Sequence, residues 1–261
     1  MRRLEDAIAM VTGSGQGIGF AIARRFAEEG ATVVIAELDH ALGKDAAERI
    51  AAETGSRVFA VATDVADPVS VAAAVREVET RLGAVTVLVN NAGIAVFRDP
   101  LEMTWDDWRL CMSVDLEGAW HCSREVLPGM LQAGDGAIIN IISNHSFSVI
   151  PATFPYPVAK HGLLGMTRAL ALEYAGRGIA INAISPGYTD TQIAETVFAE
   201  SGDPAAARAA VEAKQPVGRL CRPDEIAAVA AMLASHEVRF MIGENIVIDG
   251  GIAIRMYESL A

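Results

Sequence analysis

Residues 8–29 read IAMVTGSGQGIGFAIARRFAEE, and this stretch decides the fold. It begins with an apolar run typical of a buried strand, passes through four glycines within residues 13–19, and continues with the apolar spacing of a helix. Glycines permit a tight turn and let backbone amides approach a pyrophosphate, while the helix N-terminus presents free N–H groups and a positive dipole. Because strand and helix flank the turn as required, the pattern predicts a dinucleotide-binding unit rather than a glycine-rich turn without a ligand.

The rest of the chain repeats this alternation of strand and helix. We predict strands at residues 6–12, 32–37, 57–62, 85–90, 136–142, 179–184 and 245–248. We predict helices at residues 17–29, 41–54, 68–82, 104–132, 156–175 and 223–235. Such alternation is typical of parallel strands joined by crossover helices. The sequence therefore predicts an α/β protein, a single doubly wound Rossmann domain over residues 1–261 with a seven-stranded parallel sheet and helices on both faces.

A long connection interrupts the alternation at about residues 186–222. It opens with Pro186-Gly187, contains a second turn signal (SGDP) at residues 201–204, and has no predicted strand of its own. Long insertions after a strand are usually binding loops or lids, so we expect a substrate lid here. The alternative is a pair of surface helices without a moving part.

Composition and charge exclude several classes of function. The chain has 21 basic and 33 acidic residues, a net charge of −12 and a pI of about 4.9, so it lacks the basic surface that general nucleic-acid binding requires. Its longest apolar stretches, such as AVTVLV and AIINII, are far shorter than the roughly 20 residues that cross a bilayer. The first residues also lack the apolar segment of a signal peptide. We expect a soluble protein that binds neither nucleic acid nor membranes.

The cysteines indicate the compartment and argue against a metal site. Cys111, Cys122 and Cys221 form no C-x-x-C pair, so we predict no bound metal and no disulfide framework. An odd number of cysteines in a core-rich chain fits the reducing cytoplasm, where such thiols are usually small buried hydrophobic groups.

Glu37 indicates which dinucleotide is bound. It follows the predicted strand TVVIA, 24 residues after Gly13, near the interval expected for an acid that holds the adenosine ribose 2′-hydroxyl. A 2′-phosphate would face this carboxylate, and Leu38, Asp39 and His40 supply no arginine or lysine to offset the repulsion. We therefore predict NAD as the cofactor. The alternative is an ordinary solvated charge at the end of a strand.

Three polar residues mark a candidate reaction site. Ser143 follows the strand-like run AIINII, at the edge where ligands gather in an open α/β sheet. Tyr156 comes thirteen residues later, and Lys160 lies four residues after Tyr156, so both project from one face of the predicted helix. By itself, a tyrosine and a lysine at this spacing are usually surface residues.

Together, these motifs resemble the short-chain dehydrogenase/reductase family over nearly the whole chain. The resemblance rests on the T-G-x-x-x-G-x-G loop at Thr12, Gly13, Gly17 and Gly19, on Asp64 in TDVAD, on the N-N-A-G turn at residues 90–93, on Ser143, Tyr156 and Lys160, and on Pro186-Gly187. It implies an oxidoreductase that acts on CH–OH groups with NAD. It also implies a cofactor-binding set of Gly13, Ser14, Gln16, Gly17, Ile18, Gly19, Glu37, Leu38, Asp64, Val65, Asn91, Ala92, Gly93, Tyr156, Lys160, Pro186, Gly187, Thr189 and Thr191.

The resemblance further implies that Ser143, Tyr156 and Lys160 are catalytic. A tyrosine can exchange a proton with the substrate oxygen while hydride moves at the neighbouring carbon. A free phenol has a pKa near 10, so a base working near pH 8 needs roughly 2.7 kcal/mol of preference for the phenolate. An ammonium at about 4 Å supplies roughly 4 kcal/mol at an effective dielectric of 20, so we expect Lys160, aided by the oxidised nicotinamide, to lower the pKa of Tyr156. Lys160 should also hold the nicotinamide ribose, and Ser143 the reacting oxygen.

Two residues depart from the family pattern. The family usually has a V-N-L segment whose asparagine links the lysine to a proton-relay water, whereas this chain has Val114-Asp115-Leu116. We include Asp115 in the catalytic set, because a carboxylate still accepts a hydrogen bond from water or Lys160, although it cannot donate one as an amide does. Pro157 stands where serine is common, and proline in the first turn of a helix predicts a rigid N-terminus.

The substrate is expected to contact polar and aromatic side chains near Ser143 and the lid. The predicted set is Ser143, Asn144, His145, Tyr156, Tyr188 and Gln192, with Phe97 and Phe147 nearby. Such groups suit a polyhydroxylated substrate, because a hydroxyl buried without a partner costs roughly 1–3 kcal/mol. The stretches SNHS and FPYPVAKHG also resemble family members that oxidise free sugars at the anomeric carbon. The alternative is that Asn144 and His145 only brace the loop.

Two other functions compete with a sugar or polyol dehydrogenase. A 3-oxoacyl thioester reductase has the same catalytic set, but it usually prefers NADPH and a basic surface for an acidic carrier, which Glu37 and the net charge disfavour. A relative that binds NAD without turnover is disfavoured by the intact catalytic set and favoured only by Asp115. The resemblance to the family also implies a homotetramer, built by the last strand and two long helices.

Overall fold

The chain folds around a seven-stranded sheet in the computed structural model, which describes residues 2–256. The strands are β1 Ile8–Thr12, β2 Thr32–Glu37, β3 Val58–Ala62, β4 Val87–Asn90, β5 Gly136–Ile141, β6 Ile179–Pro186 and β7 Asn245–Ile248. All neighbours are parallel, and the order across the sheet is β3-β2-β1-β4-β5-β6-β7. The predicted doubly wound α/β fold is therefore confirmed. The first residue and the last five of the predicted 1–261 domain lie outside the described range.

Helices cover both faces of the sheet. They are α1 Gly17–Glu28, α2 His40–Thr54, α3 Pro68–Leu82, α4 Trp105–Met112, α5 Gly118–Ala133, α6 Tyr156–Tyr174, α7 Gln192–Ala199, α8 Pro204–Lys214 and α9 Pro223–Ala234. The largest core cluster joins Val11 of the sheet to Phe26 and Ile226, and a second one joins Met10 to Val126 on the opposite face. Because both faces are covered, the strands read as continuous apolar runs. None of the described helices has the length and hydropathy of a membrane span.

The helix predicted at residues 104–132 is interrupted in the structure. α4 ends at Met112, a π-helical segment spans Ser113–Glu117, and α5 then continues to Ala133. This segment contains Asp115, whose side chain is fully buried. Its sequence, SVDLE, holds no glycine or proline, so the apolar pattern could not show the break. π-helical segments are rare and often lie at functional sites.

The carboxyl ends of the central strands meet at one edge of the sheet. The strand order reverses between β1 and β4, and ligands of open α/β sheets bind in the crevice at such a point. The glycine loop follows β1, Asn91 follows β4, and Ser143 comes two residues after β5 ends. This edge therefore gathers the predicted site residues.

The connection at residues 186–222 contains α7 and α8, so its interior is helical. At its base Thr189 and Cys221 pair in a short parallel bridge. Asp190 accepts two hydrogen bonds from the guanidinium of Arg208, at 2.9 and 2.6 Å, which ties the start of the insertion to α8. The insertion is thus a compact helical unit above the carboxyl edge of the sheet.

Candidate active site

The loop after β1 has a backbone geometry that favours glycine. Gly13 and Gly17 have φ angles of 59° and 60°, and a Cβ atom on Gly13 would lie 2.8 Å from Cα of Ala92. α1 begins at Gly17, and the side chain of its N-cap residue, Gln16, makes no capping hydrogen bond. The first N–H groups of α1 therefore remain available to an anion. This cradle fits the pyrophosphate of a dinucleotide.

Side chains from β1 and from the residue after β4 hold the glycine loop in place. The Thr12 hydroxyl accepts hydrogen bonds from the backbone N–H groups of Asn91 and Ala92, each at 3.0 Å. The Asn91 side-chain amide donates to the carbonyl oxygens of Thr12 and Gly13, each at 2.9 Å. The turn is thus fixed by contacts within the protein, which keeps the helix N-terminus free for a ligand.

Glu37, the last residue of β2, lies against the glycine loop. One carboxylate oxygen accepts a hydrogen bond from the N–H of Gly15 at 3.0 Å, and the other accepts one from the N–H of Leu38 at 2.9 Å. Leu38 itself is largely exposed. Each oxygen keeps acceptor capacity, so the carboxylate can also bind a ribose hydroxyl.

The remaining residues of the predicted cofactor set lie along the same edge. They are Ser14, Ile18 and Gly19 in and after the glycine loop, Asp64 and Val65 after β3, Gly93 after β4, and Pro186, Gly187, Thr189 and Thr191 at and after the end of β6. Asp64 accepts a hydrogen bond from the N–H of Ala66 at 2.9 Å, within its own turn. Cγ2 of Thr191 lies 3.7 Å from the Cβ position of Gly17, so the insertion reaches the glycine loop.

Ser143 caps a short 3₁₀ turn after β5. Its hydroxyl accepts a hydrogen bond from the N–H of His145 at 3.1 Å and donates one to Oδ1 of Asn144 at 3.3 Å. Its carbonyl oxygen lies 3.1 Å from Oγ of Ser185, which is also 2.7 Å from Oδ1 of Asn245. β6 and β7 therefore brace the backbone that presents Ser143.

Tyr156 and Lys160 lie one helical turn apart at the start of α6, with Pro157 in the first turn as predicted. Nζ of Lys160 is 5.4 Å from the centre of the Tyr156 ring. The rings of Phe97 and His145 meet the Tyr156 ring edge-on, at centroid distances of 5.7 and 5.8 Å. These contacts restrict the orientation of the phenol.

Asp115 forms a buried ion pair with Lys160. Its Oδ1 lies 3.0 Å from Nζ, and the two side chains are 0% and 4% exposed. The N–H of Ile94 donates to Oδ1 at 3.2 Å, and the thiol of Cys111 lies 3.9 Å from Oδ2. The carboxylate that replaces the family's asparagine therefore contacts the lysine directly.

The protein's own groups raise the pKa of Tyr156, whereas Lys160 was expected to lower it. Burial raises the pKa of Tyr156 above that of a free phenol, and although Lys160 and the hydroxyl of Ser143 act to lower it, Asp115 acts to raise it. Burial also acts to lower the pKa of Lys160, but the Asp115 carboxylate and the Tyr156 phenolate together outweigh burial and hold that pKa above its usual value. Lys160 therefore has the predicted effect on the phenol, but burial and Asp115 outweigh it.

The residues predicted to contact substrate divide into two groups. Asn144 and His145 lie beside Ser143 and Tyr156, and the buried Nδ1 of His145 has no hydrogen-bond partner within residues 2–256. The second group is more exposed: Phe147 and Tyr188, which stands at the start of the insertion, are partly exposed, and Gln192 is an exposed residue at the start of α7.

A buried polar network beneath the site was missed by sequence reasoning. The Asn90 amide donates to Ser123 at 3.1 Å and to Oδ1 of Asn140 at 2.8 Å, and the Asn140 amide donates to Thr167 at 2.9 Å. The network joins β4 and β5 to α5 and α6. An asparagine inside each of the apolar runs VLVN and AIINI was the available signal.

A concave region elsewhere on the surface shares none of the predicted site residues. It is a groove of about 680 Å³ at the outer edge of β3, lined among others by Lys44, Glu48, Phe59 and Arg81. It lies away from the carboxyl ends of the central strands, so it is not the candidate active site.

Comparison with known proteins shows which family this chain belongs to. A family model described as enoyl-(acyl carrier protein) reductase matches residues 13–253. Cis-4-hydroxycyclohexanecarboxylate dehydrogenase of Sinomonas cyclohexanicum is 41% identical over 247 residues, which cover 94% of this chain and 96% of that protein. Meso-2,3-butanediol dehydrogenase of Serratia marcescens is 37% identical over 250 residues, which cover 95% of each.

A solved structure is similar over the same length. The L-sorbose reductase of Gluconobacter frateurii, complexed with NADPH and L-sorbose, matches with a TM-score of 0.94 and 30% identity over 98% of this chain and 100% of that one. The chain therefore belongs to the short-chain dehydrogenase/reductase family, and it is an oxidoreductase that transfers a hydride between a nicotinamide cofactor and an alcohol or carbonyl substrate.

Proposed function

We propose that this protein is an NAD-dependent dehydrogenase of a small sugar or polyol, with Ser143, Tyr156 and Lys160 as its catalytic side chains. The observation that carries the proposal is the convergence of these side chains at the carboxyl edge of the sheet, on the same side as the glycine loop. Alcohol oxidation needs a hydrogen-bond donor, a proton acceptor and a charge that stabilises the acceptor. The serine, the tyrosine and the lysine supply these in turn.

The oxidation separates a hydride and a proton. Nicotinamide, when bound, supplies the hydride acceptor. The phenolate of Tyr156 takes the proton of the substrate hydroxyl as the carbon loses its hydride, so a C=O bond replaces one C–H and one O–H bond. Ser143 donates a hydrogen bond to the reacting oxygen, which requires that its present bond to Asn144 be exchanged. Lys160 stabilises the phenolate and binds the nicotinamide ribose.

The preference for NAD is proposed from Glu37. Its carboxylate lies beside the glycine loop, where it suits a ribose hydroxyl and repels a 2′-phosphate. The similar L-sorbose reductase is complexed with NADPH, so the resemblance does not establish which of the two cofactors this chain prefers. The carboxylate next to the loop supports NAD for this chain.

The proposed substrate class follows from the walls of the site. Phe97 supplies an apolar edge, whereas Asn144 and His145 supply polar groups next to Ser143. A sugar or polyol presents both C–H and hydroxyl groups, so it can pack against the apolar side chain and form hydrogen bonds with the polar ones. The related dehydrogenases are named for a hydroxycyclohexane acid and a diol, and the solved structure for a ketose, which supports a hydroxylated substrate.

We further propose that residues 186–222 form a substrate lid. The insertion leaves the sheet at the carboxyl end of β6, and Thr191 approaches the glycine loop. Its α7 exposes the side chains of Ile193 and Val197, which closure over a ligand would cover.

A substrate panel tests the proposed reaction and cofactor together. Aldoses, polyols and simple secondary alcohols are assayed with NAD and with NADP, and a 3-oxoacyl thioester is assayed with both reduced cofactors. We expect turnover of a sugar or polyol, with kcat/KM for NAD at least about tenfold above NADP, a difference of about 1.4 kcal/mol. Glu37→Gln removes the charge at nearly constant size and should reduce that preference.

Three outcomes would contradict the proposal. Turnover confined to the thioester would favour the acyl reductase. Equal efficiency with NAD and NADP would remove the role of Glu37. Tight NAD binding without turnover of any substrate would favour a non-catalytic protein.

A further inference from the structure

The ion pair between Asp115 and Lys160 places a second charge next to the proposed acid/base. Both side chains are buried, and Nζ of Lys160 is also 5.4 Å from the Tyr156 ring. The carboxylate is held on two sides, by the ammonium at 3.0 Å and by the N–H of Ile94 at 3.2 Å. Burial raises the pKa of the Asp115 carboxyl above its usual value, and these two donors act against burial because they favour the ionised form.

The backbone of Gly93 packs directly against the pair. A Cβ atom on Gly93 would lie 2.7 Å from Oδ1 of Asp115 and 3.3 Å from Nζ of Lys160. Because both side chains are buried, the pair is shielded from water, and its charges interact more strongly than they would at the surface. An asparagine at position 115 would keep the oxygen acceptor but would remove the charge.

We propose that Asp115 is a positioning residue that offsets the charge of Lys160, so that Tyr156 exchanges its proton at a higher pH than it would beside a neutral partner of the lysine. This inference rests on the proposed role of Tyr156 as general acid/base.

Other titratable groups around Tyr156 do not account for such an effect. Burial raises the pKa of the Cys111 thiol to about 12, so the thiol is neutral at the pH of the reaction. Burial, helped by the neighbouring His161, holds the pKa of His145 below its usual value, so this ring is neutral in alkaline solution. Ser143 contributes a hydrogen bond but no charge. Asp115 and Lys160 are thus the charged groups that act on the phenol.

The direction of the effect gives the first test, which compares the pH dependence of kcat for alcohol oxidation in the natural chain and in Asp115→Asn. Oxidation uses the phenolate, so kcat rises with pH as Tyr156 loses its proton. Without the carboxylate, the ammonium of Lys160 is no longer offset, while the phenolate of Tyr156 still acts to keep it protonated. We therefore expect the rising limb to move to lower pH by about one unit. Asp106→Asn is the matched control, because it removes an equal charge from a side chain that is 94% exposed, and it should leave the limb in place.

A second readout does not depend on turnover. Phenolate formation is followed by ultraviolet absorbance, and subtracting the trace of Tyr156→Phe isolates this residue from the other three of the four tyrosines. Asp115→Asn and Asp115→Ser should both titrate Tyr156 at lower pH than the natural chain, with circular dichroism confirming the fold at each pH. Asp115→Ser serves if the asparagine variant fails to fold.

Coincident titrations, or a shift to higher pH, would overturn the inference. A different result would show that the proposed function fails while the inference about Asp115 holds. In that case Tyr156→Phe keeps its turnover while the absorbance titration still moves in the Asp115 variants.

Discussion

Tyr156 is the side chain on which the proposed mechanism depends most. Tyr156→Phe removes one oxygen and keeps the ring between Phe97 and His145, so the fold and NAD binding should survive. Turnover should fall by about 10²–10⁴, the usual contribution of a general acid/base. Steady-state kinetics on the best substrate, with calorimetric NAD affinity within a few-fold of the natural chain, checks this.

Tyr174→Phe is the matched control, because Tyr174 ends the same helix α6 far from Ser143. It should keep the turnover of the natural chain. Retained turnover in Tyr156→Phe would show that another group moves the proton. His145, whose ring lies 5.8 Å from that of Tyr156, would then be the first to examine.

At the scale of residues, the sequence predicts which side chains lie together. It does not predict the net effect of their charges on the pKa of Tyr156. Ser143 and the pair Tyr156 and Lys160 could be placed together because each belongs to an element that ends or begins at the same edge of the sheet. The sign of the pKa shift at Tyr156 could not be predicted, because it depends on burial and on Asp115, which comes from another helical segment.

At the scale of elements, the strands were predicted well. The helix predicted at residues 104–132 is interrupted, and α7 and α8 were foreseen only in the alternative interpretation of residues 186–222. Parallel strands covered on both faces read as apolar runs, and glycine or polar turns bound them, so the strand positions agree within a few residues. The π-helical segment at Ser113–Glu117 changes the hydrogen-bonding pattern without changing the residue types. Local pattern therefore could not show the break between α4 and α5.

The prediction at the scale of elements concerns closure of the insertion at residues 186–222. If it closes over bound ligands, trypsin should cleave after Arg208 and Lys214 more slowly when NADH and substrate are present. Cleavage after Arg76, on α3, is the internal control and should change less. Mass spectrometry of timed digests checks this. Equal protection of all three positions, or no protection at saturating ligand, would contradict a closing lid.

At the scale of the whole molecule, we propose that the protein is a homotetramer. Large apolar side chains are exposed on three helices: Trp105 of α4 is 73% exposed, Trp120 of α5 40% and Leu172 of α6 83%. Repeated isologous patches favour closed dihedral assemblies, which bury such surfaces. Light scattering at micromolar concentration should give a mass near four times 27.5 kDa. A monomer would contradict the proposal.

Transfer of carbon-bound deuterium tests the central claim most directly. The protein is incubated with NAD and the best substrate of the panel, which carries deuterium on the carbon to be oxidised, and the reduced cofactor is analysed by mass spectrometry and NMR. Direct hydride transfer predicts one deuterium in each NADH formed, on a single face of the nicotinamide ring, and almost no labelled NADH from Tyr156→Phe. NADH that forms without deuterium, or label that appears equally on both faces, would contradict hydride transfer in this site.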